Sequence, residues 1–171
     1  MLGPAPRDIL RTPRDGRFIL LTLIVGYMLN LLPFNDATLL LRPDFALLAL
    51  LYWCIHEPRR LGQTAGFGLG LLVDIGDGSV LGLHGLIYSL AAYLSGKFRL
   101  RVLSFGLWQQ ALHLLPLLLL TQGLTILLNL FLRNVFPGWG YFTGGLVGAA
   151  LWPALSLLME YPEYYPDKND A

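Results

Sequence analysis

Charge and cysteine are what this chain has least of. Only 13% of its 171 residues are charged, about half the share of an average soluble domain. A surface so poor in charge cannot face water on every side, which excludes an ordinary soluble globule. The single cysteine, Cys54, excludes an intrachain disulfide and reads as a small buried apolar residue. No Cys/His cluster has the spacing of a zinc site, and no cofactor is implied. A formal net charge of +1 gives no electrostatic footprint for nucleic acid.

Apolar residues fill the space that charge leaves: 55% of the chain is hydrophobic and the mean hydropathy is +0.58. The N-terminus carries Arg7, Arg11, Arg14 and Arg17 before an apolar run that starts at Phe18. No small-x-small cleavage signal follows, so this run reads as an uncleaved first span. Charge-free intervals at 18–35, 45–56, 61–73, 78–96, 102–132 and 134–159 mark six candidate spans. A helix needs about 20 residues to cross about 30 Å of hydrocarbon. The second and third intervals are shorter than that and must borrow flanking residues, thin the bilayer or re-enter.

The placement of the basic residues decides between these options. With six spans and a cytoplasmic N-terminus, ten of the 12 Lys and Arg lie inside, leaving only Arg42 and Arg133 outside. That split obeys the positive-inside rule. A re-entrant hairpin would leave Arg59 and Arg60 near the membrane centre, at about 2.5–3.5 kcal/mol each. The expected architecture is therefore an all-α integral membrane protein, a bundle of six transmembrane helices with both termini cytoplasmic. Residues 1–17 form a basic N-terminus and residues 160–171 an acidic tail. Between them, 18–159 form a single domain with spans at about 18–34, 40–56, 61–75, 79–96, 107–130 and 140–159. Pro116 falls midway in the long fifth span and predicts a kink.

Small residues recur at helical spacing where helices would touch. Gly62, Gly66 and Gly70 lie four apart on the third span, and Gly140, Gly144 and Gly148 on the sixth. Gly82, Gly85, Ser89, Ala92 and Gly96 make a similar face on the fourth. Such stripes let backbones approach closely in lipid. Packing within the bundle is the expected use of Gly62, Gly66, Gly85, Gly140, Gly144 and Gly148; the alternative is a partner-binding face, for which the sixth stripe, flanked by Trp139, Tyr141 and Phe142, is the preferred candidate. Gln109 and His113, then Gln122, Thr125 and Asn129, put polar groups on the fifth span, where bonds between helices are expected, with a polar cavity as the alternative. Trp53, Trp108 and Trp139 fall where an interfacial aromatic belt would be, and Trp152 lies deeper.

The one constellation with acid/base potential is Asp74, Asp77 and His84. It lacks the facing aspartates or Ser–His pair of a membrane protease, so no enzyme is expected. Gly76 and Gly78 fit a turn, with Asp77 and Ser79 placed to cap the fourth helix. His84 would then sit about 8 Å inside, bonded to a backbone carbonyl. Asp74 is different, because a carboxylate at a helix C-terminus opposes the helix dipole. A cation, Arg42 or a partner protein could satisfy it.

The stretch Arg42-Pro-Asp-Phe-Ala-Leu-Leu-Ala-Leu-Leu-Tyr-Trp, the following His-Glu-Pro-Arg-Arg and Gly-Leu-Leu-Val-Asp-Ile-Gly-Asp-Gly-Ser-Val-Leu-Gly-Leu-His-Gly-Leu resemble the bacterial rod shape-determining protein MreD family. The detailed likeness covers about 43–96. The resemblance implies a multi-pass component of the bacterial cell inner membrane, non-enzymatic, serving cell-wall elongation and rod shape. It implies MreC as direct partner and, through it, the actin-like filament protein, the elongation polymerase and its transpeptidase, with membrane lipid around the bundle and no nucleic acid. The matching positions are Pro43, Trp53, Pro58, Gly70, Asp74, Gly78, Gly82 and His84, expected to shape a partner-recognition unit. The family is also similar in architecture to the substrate-binding components of energy-coupling-factor vitamin transporters. That likeness supplies the alternative reading, a transporter component.

Overall fold

The computed structural model describes residues 15–32, 41–136 and 138–160. The basic residues before Asp15, the acidic tail after Glu160 and the segment 33–40 lie outside the described residues. Among the described residues six α-helices follow one another: α1 Gly16–Asn30, α2 Phe45–His56, α3 Gln63–Asp77, α4 Leu83–Leu103, α5 Leu107–Arg133 and α6 Thr143–Glu160. A short 3-10 turn, Trp139–Phe142, leads into α6. The chain is an all-α, membrane-associated fold, and its outward faces carry the large apolar side chains that lipid requires, among them Leu20, Leu21 and Ile24 on α1 and Leu127 and Phe131 on α5.

Among the described residues two helical stretches, Leu107–Arg133 and Trp139–Glu160, are long and apolar enough to cross a membrane. The others are shorter or more polar, and the shortness of α2 has a physical reason. Ten of its 12 residues are buried, because it packs among α1, α4 and α6. A helix sheathed by its neighbours has no lipid to match, so its length is set by them.

α1 meets α2 along Ile19, Leu23, Gly26 and Asn30, one narrow face at helical spacing. A Cβ on Gly26 would lie 2.9 Å from the Phe45 carbonyl oxygen, so the helices cross where Gly26 has no side chain. α3 and α4 form the closest pair. Cβ atoms on Gly66 and Gly70 would stand 2.8 Å from the Tyr88 carbonyl oxygen and 2.4 Å from that of His84. Gly62, first in that stripe, has open space around it and is not part of the contact. α5 runs unbroken through Pro116, and α6 returns beside it.

The structure adds detail to three sequence readings. Trp53 is 1% exposed, packed inside the bundle rather than on its outer surface, with its indole N–H donating to Thr22 Oγ1 at 2.8 Å. That bond needs Thr22 on α1, a partner no local pattern shows. The bond between α5 and α6 comes from Gln110, whose Oε1 accepts from the Trp152 indole at 3.3 Å. Gln109 and His113 instead face outward. Finally, Gly144 and Gly148 turn into the bundle: a Cβ on Gly144 would lie 2.6 Å from the Arg42 carbonyl oxygen. The α6 stripe is thus occupied by the protein's own chain and is not an open partner face.

Candidate functional site: the polar end of the bundle

The two ends of the bundle differ in chemistry. At one end Arg60 approaches Gly16, and Arg99 Nε donates to the Ile55 carbonyl at 2.7 Å, capping the end of α2. The opposite end gathers Asn30, Arg42, Asp44, Asp77, His84 and Tyr141 around one cavity.

Asp74 organises the α3–α4 corner. Its carboxylate is 1% exposed and is surrounded by donors from the following segment. Oδ1 accepts from Ser79 Oγ at 2.6 Å, from the His84 backbone N–H at 3.0 Å and from His84 Nδ1 at 2.8 Å. Oδ2 accepts from the backbone N–H of Gly82 at 2.8 Å and Gly85 at 3.4 Å. A carboxylate that is misplaced at the end of α3 therefore caps the start of α4, where free N–H groups and the positive end of the dipole favour an anion. The chain reverses through Gly78 at φ +59° and Gly82 at φ +94°, left-handed positions that suit glycine.

This geometry revises the expected roles around the turn. Asp77 and Ser79 do not cap the fourth helix: Asp77 ends α3, and Ser79 donates to Asp74. α4 begins at Leu83 rather than 79, because the turn needs Ser79–Gly82 to bring its N–H groups onto Asp74. His84 accordingly lies in the first helical turn. Its ring bonds a carboxylate rather than a backbone carbonyl. Gly76 is helical, in close contact with Tyr27 and Leu31.

Asp44 builds a second hub. It is the N-cap of α2 and accepts from the Leu47 N–H at 3.0 Å, from Asn30 Nδ2 at 2.8 Å and from the Tyr88 hydroxyl. Asn30 Oδ1 accepts from the Phe45 N–H at 2.9 Å, and Arg42 donates to the Asn30 carbonyl. One carboxylate thus fastens α1, α2 and α4. An Asp just before an apolar run is a helix-start signal in the sequence, whereas nothing local marks Tyr88 or Asn30 as its partners.

The cavity between these hubs has a volume of about 450 Å³. Leu47, Leu48, Val73, Ile87 and Leu118 give it an apolar floor, and Thr121, Gln122 and Thr125 from α5 a polar wall. Thr125 and Asn129 bond backward to carbonyls of their own helix, and of the polar residues expected to join helices only Gln122 and Thr125 border the cavity. Among the described residues no group of three His, Cys, Asp or Glu could hold a metal ion.

The eight positions singled out by sequence do not form one site. Pro43, Asp74, Gly78, Gly82 and His84 share the polar end; Gly70 marks the α3–α4 contact and Trp53 the core. Pro58 lies in the exposed turn after α2, at the basic end.

Comparison with known proteins gives this arrangement its context. The family model for rod shape-determining protein MreD matches residues 14–161. The chain belongs to the MreD family. Among curated relatives, rod shape-determining protein MreD of Haemophilus influenzae is 31% identical over 141 residues, covering 82% of this chain and 87% of the relative. No solved structure matches. As a member of the MreD family, the protein is a multi-pass component of the bacterial inner membrane and not an enzyme. The match spans both hubs, the cavity and the helices that hold them.

Proposed function

We propose that the protein is a non-enzymatic scaffold of the cell-wall elongation machinery, required for rod shape, which binds MreC and through it links peptidoglycan synthesis to the cytoskeletal filament. On this reading the six helices are six spans, with both termini and Arg59–Arg60 in the cytoplasm and the polar end facing the periplasm. Family membership carries the reading. The Asp74 hub adds a physical reason for choosing the recognition surface. Its hydrogen bonds hold the 78–82 turn rigid, and Leu81 projects from that turn 69% exposed, with Val80 and Ile75 exposed beside it. A fixed apolar knob at the periplasmic membrane face suits the span and adjacent segment of a single-pass partner.

Tagged protein drawn from native membrane should bring MreC with it. Leu81→Asp should reduce recovery severalfold while leaving the unfolding midpoint in detergent unchanged. Equal recovery by wild type and Leu81→Asp would move the interface elsewhere, and absence of MreC from both would end the scaffold reading. The cavity favours a second reading, a ligand-binding membrane component of a vitamin transporter. Tight retention of a vitamin, with an ATP-driven module as partner, would support that instead.

A further inference from the structure

Toward the basic end, between α4 and α5, lies a groove of about 290 Å³. Leu94, Phe98 and Val102 form one wall, and Leu114, Leu117 and Leu120 the other. Helix direction orders its lining. Leu94 and Leu120 stand farthest from the 104–106 turn, whereas Arg101 and His113 stand nearer to it. Phe98 and Leu120 are exposed on the rim, so the groove opens outward, where α4 and α5 meet lipid.

The end nearest the turn is basic. Arg101 borders the groove, and no hydrogen bond or ion pair from the described residues reaches its guanidinium; only its carbonyl is engaged, by Ser104 Oγ at 2.7 Å. Arg99, by contrast, is committed to the Ile55 carbonyl. Lys97, one helical turn from Arg101 on the same face, is a second exposed cation. Among the described residues no Asp or Glu lines the groove. An apolar slot with an unpaired guanidinium at its outer end matches the two halves of a lipid. Its volume falls just under the roughly 300–1,000 Å³ of pockets that hold compact ligands, and a slender chain fits where those do not.

We propose that this groove holds one acyl chain of an anionic phospholipid, with the lipid phosphate on Arg101. A guanidinium binds phosphate through two parallel N–H bonds, and basic pockets between membrane helices take anionic headgroups. The apolar walls only replace contacts that the chain makes in bulk lipid, so they fix its position more than they add affinity. Discrimination falls to Arg101: an anionic headgroup keeps its charge, whereas the choline of phosphatidylcholine offsets it. The inference asks only that α4 and α5 lie in the bilayer and is independent of MreC.

The test uses the full chain in phosphatidylcholine nanodiscs carrying a minor share of phosphatidylglycerol with the same acyl chains. Retained lipid is read by native mass spectrometry, and binding by the rise in unfolding midpoint when either lipid is added in detergent. Phosphatidylglycerol should be retained preferentially and should raise the midpoint more than phosphatidylcholine does. Arg101→Gln should lower that preference about fivefold, the effect of one basic residue near a membrane surface. Arg59→Gln removes the same charge from the same end, outside the groove, and should leave the preference intact. Leu120→Trp, at the exposed rim, should lower retention by filling the groove. No preference in the wild type, equal loss from Arg59→Gln and Arg101→Gln, or undiminished retention by Arg101→Gln or Leu120→Trp would overturn the proposal. So would free glycerol phosphate binding as tightly as the lipid, since the acyl chain would then be superfluous. Capture of MreC by the same Arg101→Gln protein reports on the scaffold separately.

Discussion

Asp74 makes five hydrogen bonds to a segment that begins five residues later, and stability should respond accordingly. Asp74→Ala strips the shared acceptor from the donors of Ser79, His84 and the first turn of α4 while keeping them buried. Each buried polar group left unpaired costs about 1–3 kcal/mol, so the variant should lose roughly 3 kcal/mol or more. Unfolding followed in detergent would measure it, and Asp74→Asn should fall between the two because one oxygen remains. The sequence makes this residue conspicuous, since an acid at the C-terminal end of a helix opposes the dipole. It does not reveal the solution, because most of the partners are backbone groups with no side-chain signature. Asp44 is legible as a helix cap for the opposite reason, as its Leu47 partner lies three residues on. Its bond to Tyr88, 44 residues away, follows from the packing of α2 on α4 and from nothing local.

At the scale of elements, α3 offers a matched pair of glycines. A Cβ on Gly70 would meet the α4 backbone at 2.4 Å, whereas Gly68 has nothing within 4 Å. Gly70→Ala must push two helices apart and should cost about 3 kcal/mol, at the upper end of overpacking penalties. Gly68→Ala should be neutral or stabilising by up to about 1 kcal/mol, since alanine is the better helix former. Their unfolding midpoints should therefore move apart. Spacing alone places Gly62, Gly66 and Gly70 on one face, and the structure uses only the last two. A stripe of small residues shows where close approach is permitted; where the partner helix lies is a tertiary fact. On α6 the spacing likewise leaves the neighbour unnamed: Gly144 packs against Arg42 and Gln122, and Gly145 against Gln122. The short α2 interval posed a problem only while every helix was assumed to face lipid, and its burial removes that problem.

For the whole molecule, charge placement gives an orientation that can be measured directly. Cys54 is buried, so the natural chain should react little with a membrane-impermeant maleimide. Leu81→Cys should label in intact cells, and Arg59→Cys only after the membrane is opened. The reverse pattern would invert the topology. On the proposed topology the basic end faces the cytoplasm and the end built on Asp44 and Asp74 the periplasm. The most direct test of the scaffold itself is quantitative recovery of MreC with the tagged chain from native membranes. The account predicts MreC in the wild-type and Gly68→Ala eluates, with severalfold less from Leu81→Asp. MreC at background level in the wild-type eluate, from protein shown to be folded, would contradict it.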